Sequence, residues 1–226
     1  MKTSFFNLIT IGVLVLFSAC NKKDKTAPNS SIRLMNASPT AATMYLAPDG
    51  IKSGADVNYG SVSEYNKVNA GGFNVRINLG TSTLPFTNSD VVLDADKFYT
   101  IIITDSINKF KKSLITDSQT DPPSGRAFIR FFHLVGNGPT VDLYKSGSPI
   151  FSNRSFNDQS IGAGVNYISV DPGTQTFELR SAGGGSILAL LSNASIAAGK
   201  IYTIAARGFV NGPGSQGLVV SLYTDK

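Results

Sequence analysis

One pattern runs twice through this 226-residue chain. Ile32-Arg33-Leu34 returns as Ile129-Arg130-Phe131, Met44-Tyr45 as Leu143-Tyr144, and Tyr65 with Val68 as Tyr167 with Val170. Ala70-Gly71 followed by Val75 and Ile77 returns as Pro172-Gly173 followed by Phe177 and Leu179, and Lys97-Phe98-Tyr99-Thr100-Ile101 as Lys200-Ile201-Tyr202-Thr203-Ile204. The order is kept and the offset drifts only from 97 to 103 residues, so two copies of one module are the simplest account. Whatever the fold, it must close within about 90 to 100 residues, which is long enough for each copy to bury a core. The expected boundaries are 31–118 and 126–226, with 119–125 as a linker carrying Asp121-Pro122-Pro123-Ser124-Gly125.

Inside a copy the apolar period is two. Phe73-Asn74-Val75-Arg76-Ile77-Asn78 and Phe177-Glu178-Leu179-Arg180 alternate, which lays one face on a core and the other in water. Residues 99–103 and 217–223 are rich in β-branched and aromatic side chains, and turn formers such as Pro48-Asp49-Gly50, Asn137-Gly138-Pro139, Asp171-Pro172-Gly173 and Asn211-Gly212-Pro213 separate the runs. No long helical stripe is present. Many short strands at intervals of roughly ten residues predict an all-β chain of two tandem immunoglobulin-like β-sandwich modules. Leu93-x-Ala95-Asp96-x-x-Tyr99-x-Ile101 and Ile196-x-Ala198-Gly199-x-x-Tyr202-x-Ile204 are similar to the tyrosine corner of such sandwiches. Tyr99 and Tyr202 are therefore expected to be structural, each hydroxyl bonding to backbone just upstream.

These paired features resemble the extracytoplasmic proteins that carry two copies of the domain of unknown function numbered 4397, found in lipoproteins of Bacteroidota and relatives. The resemblance covers both modules, about 31–225. It rests on Ile32-Arg33-Leu34-Met35-Asn36-Ala37-Ser38-Pro39, the short strand with Tyr45, Gly71 before an alternating strand, and the 97–101 block. The second copy departs at Val135-Gly136, where the first has Ser38-Pro39. The family implies an architecture and no activity.

The N-terminus reads as an address. Met1-Lys2-Thr3 is a short basic start, and residues 5–17 form an apolar stretch of about a dozen, too short to span a bilayer. Leu16-Phe17-Ser18-Ala19-Cys20 resembles the bacterial lipobox, with Phe17 where Leu is usual. Residues 1–19 are thus expected to be a lipoprotein signal peptide and Cys20 the lipidation site, its thiol taking the diacylglyceryl group. Residues 20–30, polar and carrying Pro28, are read as the lipidated Cys and a flexible tether. Asn21 after the cysteine resembles lipoproteins sent to the outer membrane. Lys22-Lys23-Asp24-Lys25 lacks the acidic run of surface export, which leaves the periplasmic or surface face open.

Composition removes most chemistries. Cys20 is the only cysteine, so no intramolecular disulfide can form. Without Lys2 the mature charge is about +4, with Lys22, Lys23 and Lys25 beside the anchor; only Lys109, Lys111 and Lys112 cluster elsewhere, so nucleic acid is not an expected partner. His133 is the only histidine and ends a strand where the first copy has Asn36, the place of a strand-end polar group and not of a catalytic base. No Gly-x-Ser-x-Gly elbow occurs. Gly212, Gly214 and Gly217 match Gly-x-Gly-x-x-Gly, but a strand follows them where a dinucleotide site needs a helix. Asp94, Asp96, Asp105, Asp117 and Asp121 raise calcium between modules as a weaker idea than exposed turns, and the expectation is no metal and no cofactor.

Recognition surfaces are harder to read. Tyr59 and Phe156 stand in less regular segments, and residues 48–56, 146–158 and 209–216 are expected as loops with contact potential. The leading expectation is a lipid-anchored, non-enzymatic binding or adhesion module, its partners the membrane through the lipid and either a glycan or an envelope protein. An accessory subunit of an envelope complex is the alternative, and a hydrolase the third.

Overall fold

The computed structural model describes residues 28–162 and 165–226; Cys20 and the leader lie outside the described residues. The first copy forms β1 (Asn29–Ala37), β2 (Thr43–Pro48), β3 (Ser53–Asn58), β4 (Asn66–Asn69), β5 (Gly71–Leu79), β6 (Pro85–Leu93), β7 (Phe98–Thr104) and β8 (Lys111–Asp117). The second forms β9 (Ala127–His133), β10 (Val141–Lys145), β11 (Ser148–Arg154), β12 (Ile168–Val170), β13 (Gly173–Ser181), β14 (Ile187–Ile196), β15 (Ile201–Arg207) and β16 (Val219–Thr224). Each copy is a sandwich of two four-stranded sheets, β4-β1-β7-β8 with β3-β2-β5-β6, and β12-β9-β15-β16 with β11-β10-β13-β14. The chain is all-β, and every strand has its counterpart eight strands on. The order has a character of its own: eight strands per copy where the immunoglobulin constant type has seven, and a parallel pair, β1 with β7 and β9 with β15, at the centre of one sheet.

The alternating sequences explain the outer sheets. In β5, Val75 and Ile77 are buried while Arg76 is exposed, and in β13 Phe177 and Leu179 are buried between half-buried Glu178 and Arg180. The chain crosses from one sheet to the other just before these strands, at Gly71 (φ 108°) and Gly173 (φ 126°). Open space surrounds a Cβ built on Gly71, so backbone conformation and not crowding calls for glycine there.

Each copy has its own core. Ile32, Leu34, Met44, Leu46, Val75, Ile77, Leu93 and Ile101 pack in the first, and Ile129, Phe131, Leu143, Phe177, Leu179, Ile196 and Ile204 in the second. The hydroxyls of Tyr99 and Tyr202 reach back five residues and accept from the backbone N–H of Asp94 (3.0 Å) and Ala197 (3.1 Å). One boundary moves. Asn29 and Ser30, expected in the tether, belong to β1: Asn29 pairs with Asn69, and the buried Ser30 donates its Oγ hydrogen to the Asp94 carbonyl.

A third core, which the repeat alone does not announce, lies between the copies. Met35, Ala37, Ile102 and Ile115 of the first pack against Phe132, Leu134, Ala205 and Tyr223 of the second. The sheets holding β1, β7, β9 and β15 are therefore covered on both faces. Along β7, Tyr99, Ile101 and Ile103 enter the module core, whereas Ile102 turns to the other copy and Thr104 donates to the Leu134 carbonyl across it.

Tyr202→Phe leaves the ring packed and strands the Ala197 N–H. The bond is only part-buried and contributes about 0.5–1.5 kcal/mol net, so the variant is expected to melt a few degrees lower with an unchanged far-ultraviolet spectrum, as calorimetry and circular dichroism would read.

Candidate functional site

The residues that carried chemical promise in the sequence are used up by the fold. His133 is fully buried; its Nδ1 accepts from the Val135 N–H (3.4 Å) and its Nε2 donates to the Pro139 carbonyl (2.9 Å). Asn36 does the same work in the first copy, where Oδ1 accepts from Ser38 N–H and Nδ2 donates to the carbonyls of Ala41 and Val57. Burial, aided by the Arg154 charge, lowers the imidazole pKa against the opposing pull of the Pro139 carbonyl and Asp158, which keeps the ring neutral.

The glycine triplet Gly212, Gly214 and Gly217 lies in a closed loop entering β16. Phe209 N–H bonds to the Gln216 carbonyl, and a Cβ on Gly208 would stand 2.2 Å from the Gly217 oxygen. The aspartates scatter: Asp105 accepts from Ser106 N–H, Asp121 pairs with Lys226, and Asp117 is buried. Among the described residues no group of three or more His, Cys, Asp or Glu could hold a metal ion, and no helix is long and apolar enough to cross a membrane.

Two of the expected loops are largely strand. Residues 53–56 belong to β3, and 148–154 to β11, because Asp49-Gly50 and Ser146-Gly147, with both residues at positive φ, close tight hairpins. Tyr59 and Phe156 are half-buried, and the Arg207 guanidinium stands 4.8 Å above the Tyr59 ring.

The charged residues at the centre of the molecule are the arginines of the two repeated blocks, Arg33 and Arg130. Arg33 on β1 reaches across the module boundary to Asp225 (Nη2 to Oδ1, 2.6 Å), and Arg130 on β9 reaches back to Asp117 (2.5 Å). Arg33 Nε donates to Thr100 Oγ1 (2.8 Å), and Thr100 passes its own hydrogen to Asp117 (2.5 Å). Arg130 Nε donates to Thr203 (2.8 Å), and Thr203 to Asp225 (2.6 Å). Tyr65 donates to Asp117 and Tyr167 to Asp225, while the Arg33 guanidinium sits 4.4 Å over the Tyr65 ring and that of Arg130 4.7 Å over Tyr167. Exchanging the copies maps this network onto itself, so the interface is isologous in kind, as in a two-fold dimer.

Burial alone would lower both arginine pKa values, but the two carboxylates outweigh it and raise them, so both guanidinium groups stay charged. Burial raises the Tyr65 and Tyr167 hydroxyls too, with Asp117 reinforcing the first and Asp225 opposing the pull of Arg130 on the second; both stay protonated as donors.

Where the two modules meet the linker, a cleft of about 680 Å³ opens. Phe98, Phe128 and Tyr167 give its apolar lining, and Thr116, Gln119 and Asn166 its hydroxyl and amide groups.

A family model described as domain of unknown function DUF4397 matches residues 30–144, which is the whole first module and the start of the second, just over half of the chain. No curated protein matches. Among solved structures, the chain is similar to the family CBM26 module CBMbc of Eubacterium rectale Amy13K, solved with maltoheptaose, at 10% identity and a TM-score of 0.24, covering 88% of this chain and 97% of that one. It is also similar to a streptococcal virulence factor described as binding α-glucan, at 16% identity and a TM-score of 0.23, covering 86% of this chain and 96% of that one. TM-scores this low carry neither topology nor ligand across.

Removing one partner of a buried ion pair leaves the other charge uncompensated, at about 3–5 kcal/mol. Asp117→Asn is accordingly expected to lower the urea midpoint strongly, because Arg130 loses its shortest ion pair and keeps only the 3.4 Å contact with Asp225. The His133 effect has the opposite chemical origin. Its folded pKa lies below the unfolded value of about 6.5, so the unfolded chain binds the extra proton and stability, complete above that pH, falls on acidification. Melting temperature is expected to fall between about pH 7 and pH 5 more steeply in the wild type than in His133→Asn, which carries the residue found at the equivalent position 36.

Proposed function

The chain belongs to the family described as domain of unknown function DUF4397, and from that premise we propose that it is a lipid-anchored envelope protein acting as a non-enzymatic binding or adhesion module. The observation that carries this reading is where the reactive groups go. Arg33, Arg130, Asp117, Asp225 and His133 are all buried and engaged with one another or with backbone, the first four joining the two sandwiches and His133 holding a loop of the second. What faces outward is sheet surface, hairpin tips and the cleft between modules, the usual equipment of a recognition scaffold.

Anchoring follows from the lipobox-like segment. Cys20 precedes the first strand by eight residues, which extend to at most about 29 Å, so the body would sit close to its membrane. One acyl chain binds only marginally, and the two or three chains of a mature lipoprotein would make the attachment durable. Asn21 supports the outer membrane as destination.

Cys20→Ala is expected to abolish labelling by radioactive palmitate and to move the protein out of the carbonate-washed membrane fraction; retention would sink the anchor. For the binding role, purified residues 26–226 on a glycan array and in a pull-down from solubilised membranes should retain a sugar or an envelope protein without turnover. Failure to retain either would overturn it.

A further inference from the structure

The near two-fold relation between the modules supplies an internal control that most proteins lack. Ser31 stands beside Phe98 in the β1–β7 pair, and Phe128 beside Ile201 in the β9–β15 pair. Exchange of the copies carries Phe98 onto Ile201 and Phe128 onto Ser31. One end of the module interface is therefore built with two phenylalanines, and the equivalent end with a serine and an isoleucine. Both ends carry the same strand pairing and the same arginine–aspartate network. Phe98 packs edge-on against Tyr65 (5.1 Å between centroids), Phe128 stands 6.3 Å from Tyr167, and both rings line the 680 Å³ cleft.

The chemistry of the cleft selects its occupant. The Asp117 carboxylate at its base is spent on Arg130, Thr100 and Tyr65. The adjacent Asp96 and Lys97 offset each other at the rim, leaving no net charge for an ionic ligand. What remains is an aromatic lining with hydroxyl and amide groups around it, suited to a ligand with apolar C–H faces and many neutral hydroxyls. We infer that this cleft is a binding site for a neutral oligosaccharide, its pyranose faces resting on Phe98 and Phe128 and its hydroxyls on Thr116, Gln119 and Asn166. The inference rests on the binding-module reading and gives it a ligand class and a place.

The substitutions that test it are written in the other half of the molecule. Phe98→Ile and Phe128→Ser each install the residue that serves the equivalent position across the pseudo-dyad. The mature chain carrying Cys20→Ala is titrated by calorimetry with malto-, cello-, xylo- and mannohexaose. At least one should bind, and the double substitution should weaken it by about tenfold or more while the variant keeps the far-ultraviolet spectrum and a cooperative melt. If the double variant fails to fold, Gln119→Ala and saturation transfer from phenylalanine ring protons to the sugar in the parent chain decide instead, and loss of binding with ring-to-sugar transfer supports the site. Binding that survives the substitutions, or ring protons silent toward a bound sugar, overturns it. No oligosaccharide bound while a protein is captured from membranes overturns the cleft and leaves the binding module standing; silence in both overturns both.

Discussion

Two arginines, each crossing to the other module's aspartate, sit at the centre of this molecule. Arg33 and Arg130 are almost wholly buried, as are Asp117 and Asp225, and together they form a closed square of four charges. Taking such groups out of water is costly, and mutual attraction with hydrogen bonding at all but Arg130 Nη1 makes the burial tolerable. Thr100, Thr203, Tyr65 and Tyr167 supply the bonding, and each aspartate accepts from its own module while being neutralised by the other. A separated module would keep only the longer contact between its own arginine and aspartate, 3.9 Å for Arg33 with Asp117 and 3.4 Å for Arg130 with Asp225, and lose the short one to the other module. The square therefore couples the sandwiches more tightly than the apolar contact of Met35, Ile102, Phe132 and Ala205 would alone.

This coupling gives the inner sheets their composition. With both faces covered, β7 and β15 read as nearly unbroken apolar and threonine runs, where the outer strands β5 and β13 alternate. It also makes the cleft at Phe98 and Phe128 a property of the assembled pair, since each module gives one ring. A recognition site at the seam of two rigidly joined sandwiches is preorganised by the same contacts that stabilise the body.

Much of the architecture was legible because it rests on local rules. Alternation in residues 73–78 and 177–180, the turn formers and the upstream spacing of Tyr99 and Tyr202 act within a few residues, and a linear pattern displays them. The candidate site was not legible in that way. Arg33 and Arg130 stood in the repeat as matched residues, but an arginine on a strand reads as a solvent-facing group until a second sheet is known to cover it. Aspartates at strand ends likewise read as turn residues, Asp117 among them. The one available signal was that a charged residue recurred inside an otherwise apolar block of both copies.

By itself the sequence determined that the chain is all-β, that one module is used twice, and that His133 takes the strand-end place held by Asn36. These follow from period, spacing and composition, which operate along the chain. Only the tertiary structure decided that the two modules share a core, that their charges cross, and that Phe98 and Phe128 line one cleft. Those contacts join residues far apart in sequence, Arg33 and Asp225 by 192 positions. Which face of a strand is covered depends on what packs over it, and no local pattern records that.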